Sequence, residues 1–269
     1  MLEKLEKKLL GKLAQANKDF DLFGPGDRVM VCVSGGKDSY ALMTLMREVQ
    51  RRVPWNFELV GVNLDQAQPG FPPEVIENWF KDEGFDYRML RKDTYSIVLD
   101  KVPAGKTYCS MCSRLRRGIL YNCAVDLGAT KMALGHHRDD LIETLLLNIF
   151  YSGQLKAMAP KVHSDDGRNT VIRPLAYCAE EDIAEYAELK AFPIVPCNLC
   201  GSQDGMKRQE VKALLNRLHA ANPKVKGNLL AALSNVQPTH LLDRKLLGAL
   251  VASEAVEADP MMVPRLGSV

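Results

Sequence analysis

The sequence predicts an α/β protein built on a doubly wound parallel sheet, with an N-terminal helix and a helical C-terminal region. Short apolar strand patterns alternate with amphipathic helix patterns from residue 28 to residue 150. This alternation is typical of parallel strands joined by right-handed helical crossovers. The strand patterns also end in glycine-rich or polar turns, which is where open α/β sheets bind their ligands.

Composition sets the class of protein. The chain has 269 residues, of which 46% are hydrophobic and 25% charged, as in soluble globular proteins. The net charge of +2 does not by itself indicate a nucleic-acid-binding protein, so any basic surface must come from local clustering. The segment 1–12 has no apolar core of a signal peptide, and no run is long enough to cross a membrane. We therefore expect a cytoplasmic protein without a membrane partner.

The elements fall into four segments. We predict an N-terminal amphipathic helix over 1–22, an α/β domain over 23–195, a helical C-terminal region over 196–250 and a disordered tail over 251–269. Strands are predicted over 28–33, 57–64, 87–90, 131–134 and 171–175, the last confined to a sheet edge or strand end by Pro174. Helices are predicted over 2–19, 38–52, 73–83, 113–126, 180–190, 206–221, 225–233 and 241–251. One more helix is predicted to follow the turn at 135–140 and to end at 150. The stretches 92–106 and 152–169 are interpreted as irregular.

The turn after the first strand has the composition of a phosphate-binding loop. It contains Ser34, Gly35, Gly36, Lys37, Asp38 and Ser39. Adjacent glycines let backbone N–H groups approach an anion, and the following helix N-terminus adds unpaired donors and a positive dipole end. The GxxxxGK[ST] spacing of a Walker A loop is absent. The string SGGKDS instead resembles the SGGxDS signature of the PP-loop ATP pyrophosphatases. That resemblance implies cleavage of ATP between its α- and β-phosphates, adenylation of a substrate oxygen and release of pyrophosphate.

Two further turns are expected at the same edge of the sheet. Asp65 ends the second strand, and the segment from Gly135 to Asp140 follows the fourth. The second of these turns contains His136 and His137, which are candidates for moving protons. A capped helix start with solvated side chains is the alternative interpretation of these polar residues.

Seven cysteines include two C-x-x-C pairs, Cys109/Cys112 and Cys197/Cys200. Such pairs are typical of a zinc half-site, a thiol redox pair or part of an iron–sulfur cluster. Four thiolates could hold zinc, although structural zinc sites usually bring their pairs closer in sequence. Arg114, Arg116 and Arg117 follow the first pair and would stabilise thiolates or bind a phosphate backbone.

The combined motifs resemble the TtcA-like family of tRNA 2-thiocytidine sulfurtransferases. They are VSGGKDS, VNLDQ, CSMCSRLRRGILY, GHHRDD, RPLAYC and PCNLCGSQ, and the resemblance covers about residues 26 to 243. It implies a [4Fe-4S] cluster held by Cys109, Cys112 and Cys200, with one iron left open. It also implies ATP bound at residues 34–39 and Gly135, with Asp65 near the nucleotide and Asp140 or its neighbour Asp139 near Mg²⁺. Lys37, Asp38 and Asp140 are assigned catalytic roles.

The expected reaction is therefore thiolation of a tRNA anticodon-loop cytidine, at position 32 by family resemblance. The C2 oxygen would be adenylated and replaced by sulfide from the cluster. The implied partners are tRNA and a sulfur donor such as a cysteine desulfurase, and a homodimer is a further expectation. Three alternatives remain open. They are a persulfide relay in which Cys109 or Cys112 carries sulfur and Cys200 resolves, a zinc-stapled RNA-binding module, and amide or amine ligation.

Overall fold

A six-stranded sheet forms the centre of the chain. The computed structural model describes residues 1–101, 109–195 and 203–249, without the side chains of 109, 110 and 203–206. The strands are β1 (Arg28–Cys32), β2 (Glu58–Asp65), β3 (Tyr87–Arg91), β4 (Lys131–Ala133), β5 (Lys161–His163) and β6 (Thr170–Ile172). Their order is β3-β2-β1-β4-β6-β5, and every neighbouring pair is parallel except β5 with β6. The predicted doubly wound fold class is confirmed.

Helices connect and cover these strands. They are α1 (Leu2–Phe20), α2 (Lys37–Arg52), α3 (Pro73–Glu83), α4 (Tyr95–Lys101), α5 (Cys109–Asp126), α6 (Arg138–Ser152), α7 (Glu180–Leu189), α8 (Gln203–Ala221) and α9 (Val225–Ala232). A 3₁₀ turn over Pro238–His240 and a helical stretch over 244–249 follow. The predicted end of that last helix and the predicted disordered tail lie outside the described residues.

Short elements were missed in the sequence. The stretch 92–106 was expected to be irregular but contains α4, whose first turn is held by Asp93 accepting a hydrogen bond from the Ser96 amide (2.9 Å). The stretch 152–169 contains β5, which pairs with β6 across a turn. Because of Pro174, the strand predicted over 171–175 was expected either to lie at a sheet edge or to have the proline at its end. The second option is correct: β6 lies between β4 and β5 and ends at Ile172, before the proline can interrupt its hydrogen bonding.

Two apolar layers cover the sheet, because successive residues of β1 point to opposite faces. On one face Val29 and Val31 pack with α1, α2 and α7, and the α1 residues Leu9 and Leu13 are fully buried there. On the other face Met30 packs with α5 and with residues of β2, β4 and β6. These layers hold the sheet and its strand ends in fixed register.

The chain divides into two compact units, residues 1–226 and 227–269. All of the site geometry below lies in the first unit. Among the described residues, no helix has both the length and the apolar content required to cross a membrane.

Candidate functional site

The turns that follow β1 and β4 lie side by side. These two strands are neighbours, and the chain leaves β1 toward β2 on one side while β4 lies on the other. This reversal of strand order is the position at which open α/β sheets bind ligands. Gly135, after β4, approaches the start of α2 so closely that a Cβ there would lie 3.0 Å from the carbonyl carbon of Asp38 and 3.1 Å from the Ser39 nitrogen. Glycine is therefore needed where the two turns meet.

The loop after β1 has the shape of an anion cradle. Gly35 adopts φ +89°, and a Cβ there would lie 3.0 Å from both Ile76 and Val195 side-chain atoms. Ser39 Oγ accepts a hydrogen bond from the Ser34 amide (3.1 Å) and donates one to the Gly36 carbonyl (2.8 Å), which fixes the turn. Gly36 is the N-cap of α2 and brings no side-chain acceptor, so the first amides of the helix stay free of a capping side chain.

Lys37 lies between two carboxylates. Its Nζ is 3.1 Å from Asp38 Oδ1 and 3.3 Å from Glu180 Oε1 at the start of α7. Burial alone would lower the pKa of Lys37, but the charges of Asp38 and Glu180 outweigh it and raise the pKa above the ordinary value. Lys37 is therefore a permanent cation in the loop. Glu180 was not predicted as a site residue, because 143 residues separate it from Lys37.

His137 lies between the two acids to which catalytic roles were assigned. Its Nε2 is 3.6 Å from Asp38 Oδ1 and 3.5 Å from Asp140 Oδ2, and the side chain is 6% exposed. Its Nδ1 accepts from the Asp140 amide, and Asp140 Oδ2 accepts from the His137 amide (3.0 Å). The alternative prediction of a capped helix start is thus correct for the cap, but His137 is buried rather than solvated.

Neighbouring His136 is held in its neutral form. Its Nδ1 accepts a hydrogen bond from Arg173 Nε (3.2 Å). Burial, with the nearby charge of Arg173, lowers the pKa of His136 from its ordinary 6.5 to about 4. His136 therefore carries no charge at neutral pH.

Asp139 and Asp140 differ in what occupies their oxygens. Asp139 Oδ1 lies 2.9 Å from Lys226 Nζ, and Asp139 Oδ2 accepts from the Glu180 amide (2.9 Å). Burial raises the pKa of Asp139, but these hydrogen bonds, with Arg138, outweigh it and hold the pKa at about 2. Asp139 therefore joins α6 to α7 and to Lys226. Asp140 Oδ1 is 3.3 Å from Arg208 Nη2, a longer contact than those of Asp139 with Lys226 (2.9 Å) and Arg138 (3.1 Å).

Cys112, the second residue of the first cysteine pair, lies close to the end of β2. Asp65 Oδ1 accepts a hydrogen bond from the Ala67 amide (2.7 Å), and the next residue, Gln66, has its Oε1 3.3 Å from Cys112 Sγ. Cys109 is the first residue of α5, three residues before Cys112. The arginines that follow, Arg114, Arg116 and Arg117, are exposed.

The described side chains test only part of the predicted cluster site. The side chains of Cys109, Cys197 and Cys200 lie outside the described residues, so the three-cysteine ligand set stays a prediction. Among the side chains that are described, no group of three or more His, Cys, Asp or Glu residues is arranged to hold a metal ion. Asp140, which was predicted to lie near Mg²⁺, faces the predicted catalytic residue Asp38 across His137.

The chain is similar to a known protein family and, in its fold, to a solved structure. The PP-loop domain family matches residues 3–195. A solved structure of the U34-tRNA thiolase NcsA from Methanococcus maripaludis, with its [4Fe-4S] cluster, covers 88% of this chain and 82% of its own. Its TM-score is 0.71 at 20% sequence identity, which is a likeness of fold. The chain therefore belongs to the PP-loop family.

Relatives of higher identity narrow that class. A protein of Anaeromyxobacter sp. (strain K) is 58% identical over 261 residues, covering 97% of this chain and 89% of the relative. A protein of Tolumonas auensis is 56% identical over 243 residues, which cover 90% of this chain and 80% of the relative. Both are named tRNA-cytidine(32) 2-sulfurtransferase. The resemblance stated from the motifs is confirmed by these relatives.

Proposed function

We propose that the protein is an ATP-dependent tRNA sulfurtransferase that converts an anticodon-loop cytidine, position 32, to 2-thiocytidine. The single observation that carries this proposal is the proximity of Cys112 to the end of β2, at the edge of the sheet where the phosphate loop follows β1. It is supported by the names of the relatives, which describe this reaction for those proteins.

ATP is the co-substrate that the loop fits. The cradle at Gly35 and Gly36 leaves no room for a side chain at the first glycine, and Lys37 supplies a fixed cation. We propose that the β- and γ-phosphates lie against the loop amides and Lys37, and that Asp65 lies near the nucleotide. Loop donors and Lys37 would then stabilise the charge that develops on the departing pyrophosphate. Magnesium bound at Asp38 and Asp140 would neutralise more of that charge.

Adenylation explains why an ATP site is needed for thiolation. The C2 oxygen of cytosine is a poor leaving group, whereas the same oxygen leaves readily as part of AMP. The target base must be free of its stack to reach the loop, which favours a nucleotide in a single-stranded loop. The exposed arginines of α5 lie on the helix that carries Cys112 and are suited to contact the phosphate backbone.

The cysteines would hold the sulfur source. We propose Cys109, Cys112 and Cys200 as ligands of a [4Fe-4S] cluster. A cluster with one open iron would supply sulfide to the activated base. The cluster in NcsA supports this proposal by likeness of fold. Cys200 is five residues beyond Val195, so its Cα is within about 18 Å of Val195 in any conformation. The Val195 amide is bonded to the phosphate loop (2.9 Å), which keeps such a ligand within reach of the loop.

The persulfide relay is the second candidate. It is favoured by the half-buried position of Cys112, which is not enclosed in the core. It needs no iron, whereas the cluster proposal predicts loss of activity when iron is removed. A desulfurase would supply sulfur in either case, and a homodimer is a further proposal.

Reconstitution tests the proposed function. The purified protein would be incubated anaerobically with iron and sulfide, and then given ATP, Mg²⁺ and unmodified tRNA. We expect AMP, pyrophosphate and 2-thiocytidine in equal amounts, all lost in Lys37→Met. Full activity in an iron-free protein would support the relay instead. Binding of tRNA without AMP formation would support an RNA-binding module and contradict the proposal.

A further inference from the structure

Helix α8 carries two cations that reach the candidate nucleotide site. Arg208 and Lys212 are one helical turn apart and so lie on the same side of the helix. Arg208 Nη2 is 3.3 Å from Asp140 Oδ1, and its Nε is 3.0 Å from Glu143 Oε2. Lys212 Nζ is 2.7 Å from Glu180. Sequence reasoning predicted this helix but gave it no part in the site.

The partners of these two cations are acids of the site itself. Glu180 also holds the loop cation Lys37, at 3.3 Å, so a single carboxylate is shared between two lysines. Asp140 also faces His137, at 3.5 Å. Arg208 therefore contacts a proposed metal ligand directly, and Lys212 is linked through Glu180 to the lysine proposed to meet a phosphate.

Occupation of the loop must change this sharing. Bound phosphates bring several negative charges to Lys37. The attraction of Lys37 to the phosphates then competes with its weaker attraction to Glu180. Glu180 is left with Lys212 as its main counter-ion, and the pair between α7 and α8 becomes stronger. A metal ion on Asp140 acts on the other pair in the opposite sense, because it competes with Arg208 for the same carboxylate.

We propose that Arg208 and Lys212 are positioning residues through which α8 responds to the occupancy of the nucleotide site. Coupling of this kind is reciprocal, so changes in α8 alter nucleotide affinity. The inference rests on nucleotide binding by the loop, as proposed above.

A mutant cycle on nucleotide affinity tests the Lys212 arm. The probe is α,β-methylene-ATP with Mg²⁺, bound to the full-length protein and followed by calorimetry. In Lys212→Met, Glu180 loses its contact with Lys212 and therefore attracts Lys37 more strongly. Lys37 is then less available to the phosphates, and we expect the Kd of the analogue to rise about three- to tenfold. In the Glu180→Gln background the same change should have little effect, because the shared carboxylate is gone. An equal effect in both backgrounds would mean that only the loss of positive charge matters, and it would overturn the proposed role of Lys212. Lys207→Met, on the same helix with its Nζ over the Tyr151 ring, is the matched control and should leave the Kd unchanged.

Hydrogen exchange of the α8 amides gives a second readout, which a merely structural role would not move. In the wild type, the amides of residues 207–216 should change their exchange rate several-fold when the analogue binds. The change should be lost in Arg208→Met/Lys212→Met and kept in the control Lys207→Met/Arg217→Met. Unchanged exchange in a wild-type protein that binds the analogue would overturn this inference alone. Failure of the wild type to bind the analogue would overturn the proposed function as well.

Discussion

The amide of Val195 donates a hydrogen bond to the carbonyl oxygen of Gly35, at 2.9 Å. The segment that enters the second cysteine pair is thus joined to the phosphate loop by its backbone. The two residues are so close that a side chain on Gly35 would have no room, because its Cβ would lie 3.0 Å from Val195 Cβ. Through this bond, the loop after β1 fixes the origin of a segment 160 residues further along the chain.

The first prediction concerns this contact. Gly35→Ala should lower the free energy of unfolding by about 1–3 kcal/mol and weaken nucleotide binding, because the new methyl group meets Val195 and Ile76 at positive φ. The matched variant is Gly36→Ala, where φ is −84° and the nearest atom is Ser34 Oγ at 3.6 Å. We expect its cost to stay below about 1 kcal/mol. Urea unfolding of both variants measures the difference, and equal costs would argue against the described contact.

Lys37→Met tests the loop cation. Hydrogen bonds to charged groups contribute about 1.5–3 kcal/mol, so binding of α,β-methylene-ATP should weaken by roughly 10- to 100-fold. Calorimetric titration measures this effect. The surface variant Lys207→Met should bind as the wild type does. A Lys37→Met protein of unchanged affinity would show that the phosphates bind elsewhere.

The dependence of stability on pH should carry a contribution from His136. Its folded-state pKa of about 4 lies below its ordinary 6.5, so the folded protein resists protonation there. The contribution is complete above pH 6.5 and is lost as the pH falls toward 4, with a slope of up to about 1.4 kcal/mol per pH unit. Urea unfolding at pH 7.5 and pH 5 should show a smaller drop in His136→Gln than in the wild type. Exposed His163, changed to Gln, is the control and should leave the drop unaltered.

Two cysteines of α5 separate metal binding from packing. Cys112→Ala should remove the iron and the visible absorbance from anaerobically reconstituted protein. Cys123→Ala should keep both and lose only stability, because Cys123 is buried in the core and burial raises the pKa of its thiol. Iron content and absorbance measure the outcome. Equal iron in wild type and Cys112→Ala would remove Cys112 from the ligand set.

Local patterns predicted the strands and the turns, because apolar periodicity and adjacent glycines are visible within a few residues. The loop at Ser34 to Ser39 and the turn at Gly135 are examples. Glu180, Arg208 and Lys212 were missed as site residues. Their partners are far away in sequence, and the residues around a single charged side chain on a helix do not indicate what that side chain contacts. Helix α4 was missed because its seven residues make only about two turns. Strand β5 was missed because it is largely exposed and has no apolar run, whereas β4 and β6, of the same length, have buried apolar residues.

The proposed thiolation of a tRNA cytidine is tested in the cell by nucleoside mass spectrometry of tRNA from a strain that lacks the gene. We expect 2-thiocytidine to disappear from this tRNA, to return with the wild-type gene, and not to return with the Asp38→Asn or Cys112→Ala variant. An unchanged level of 2-thiocytidine in the deletion strain would show that this chain does not carry out the reaction.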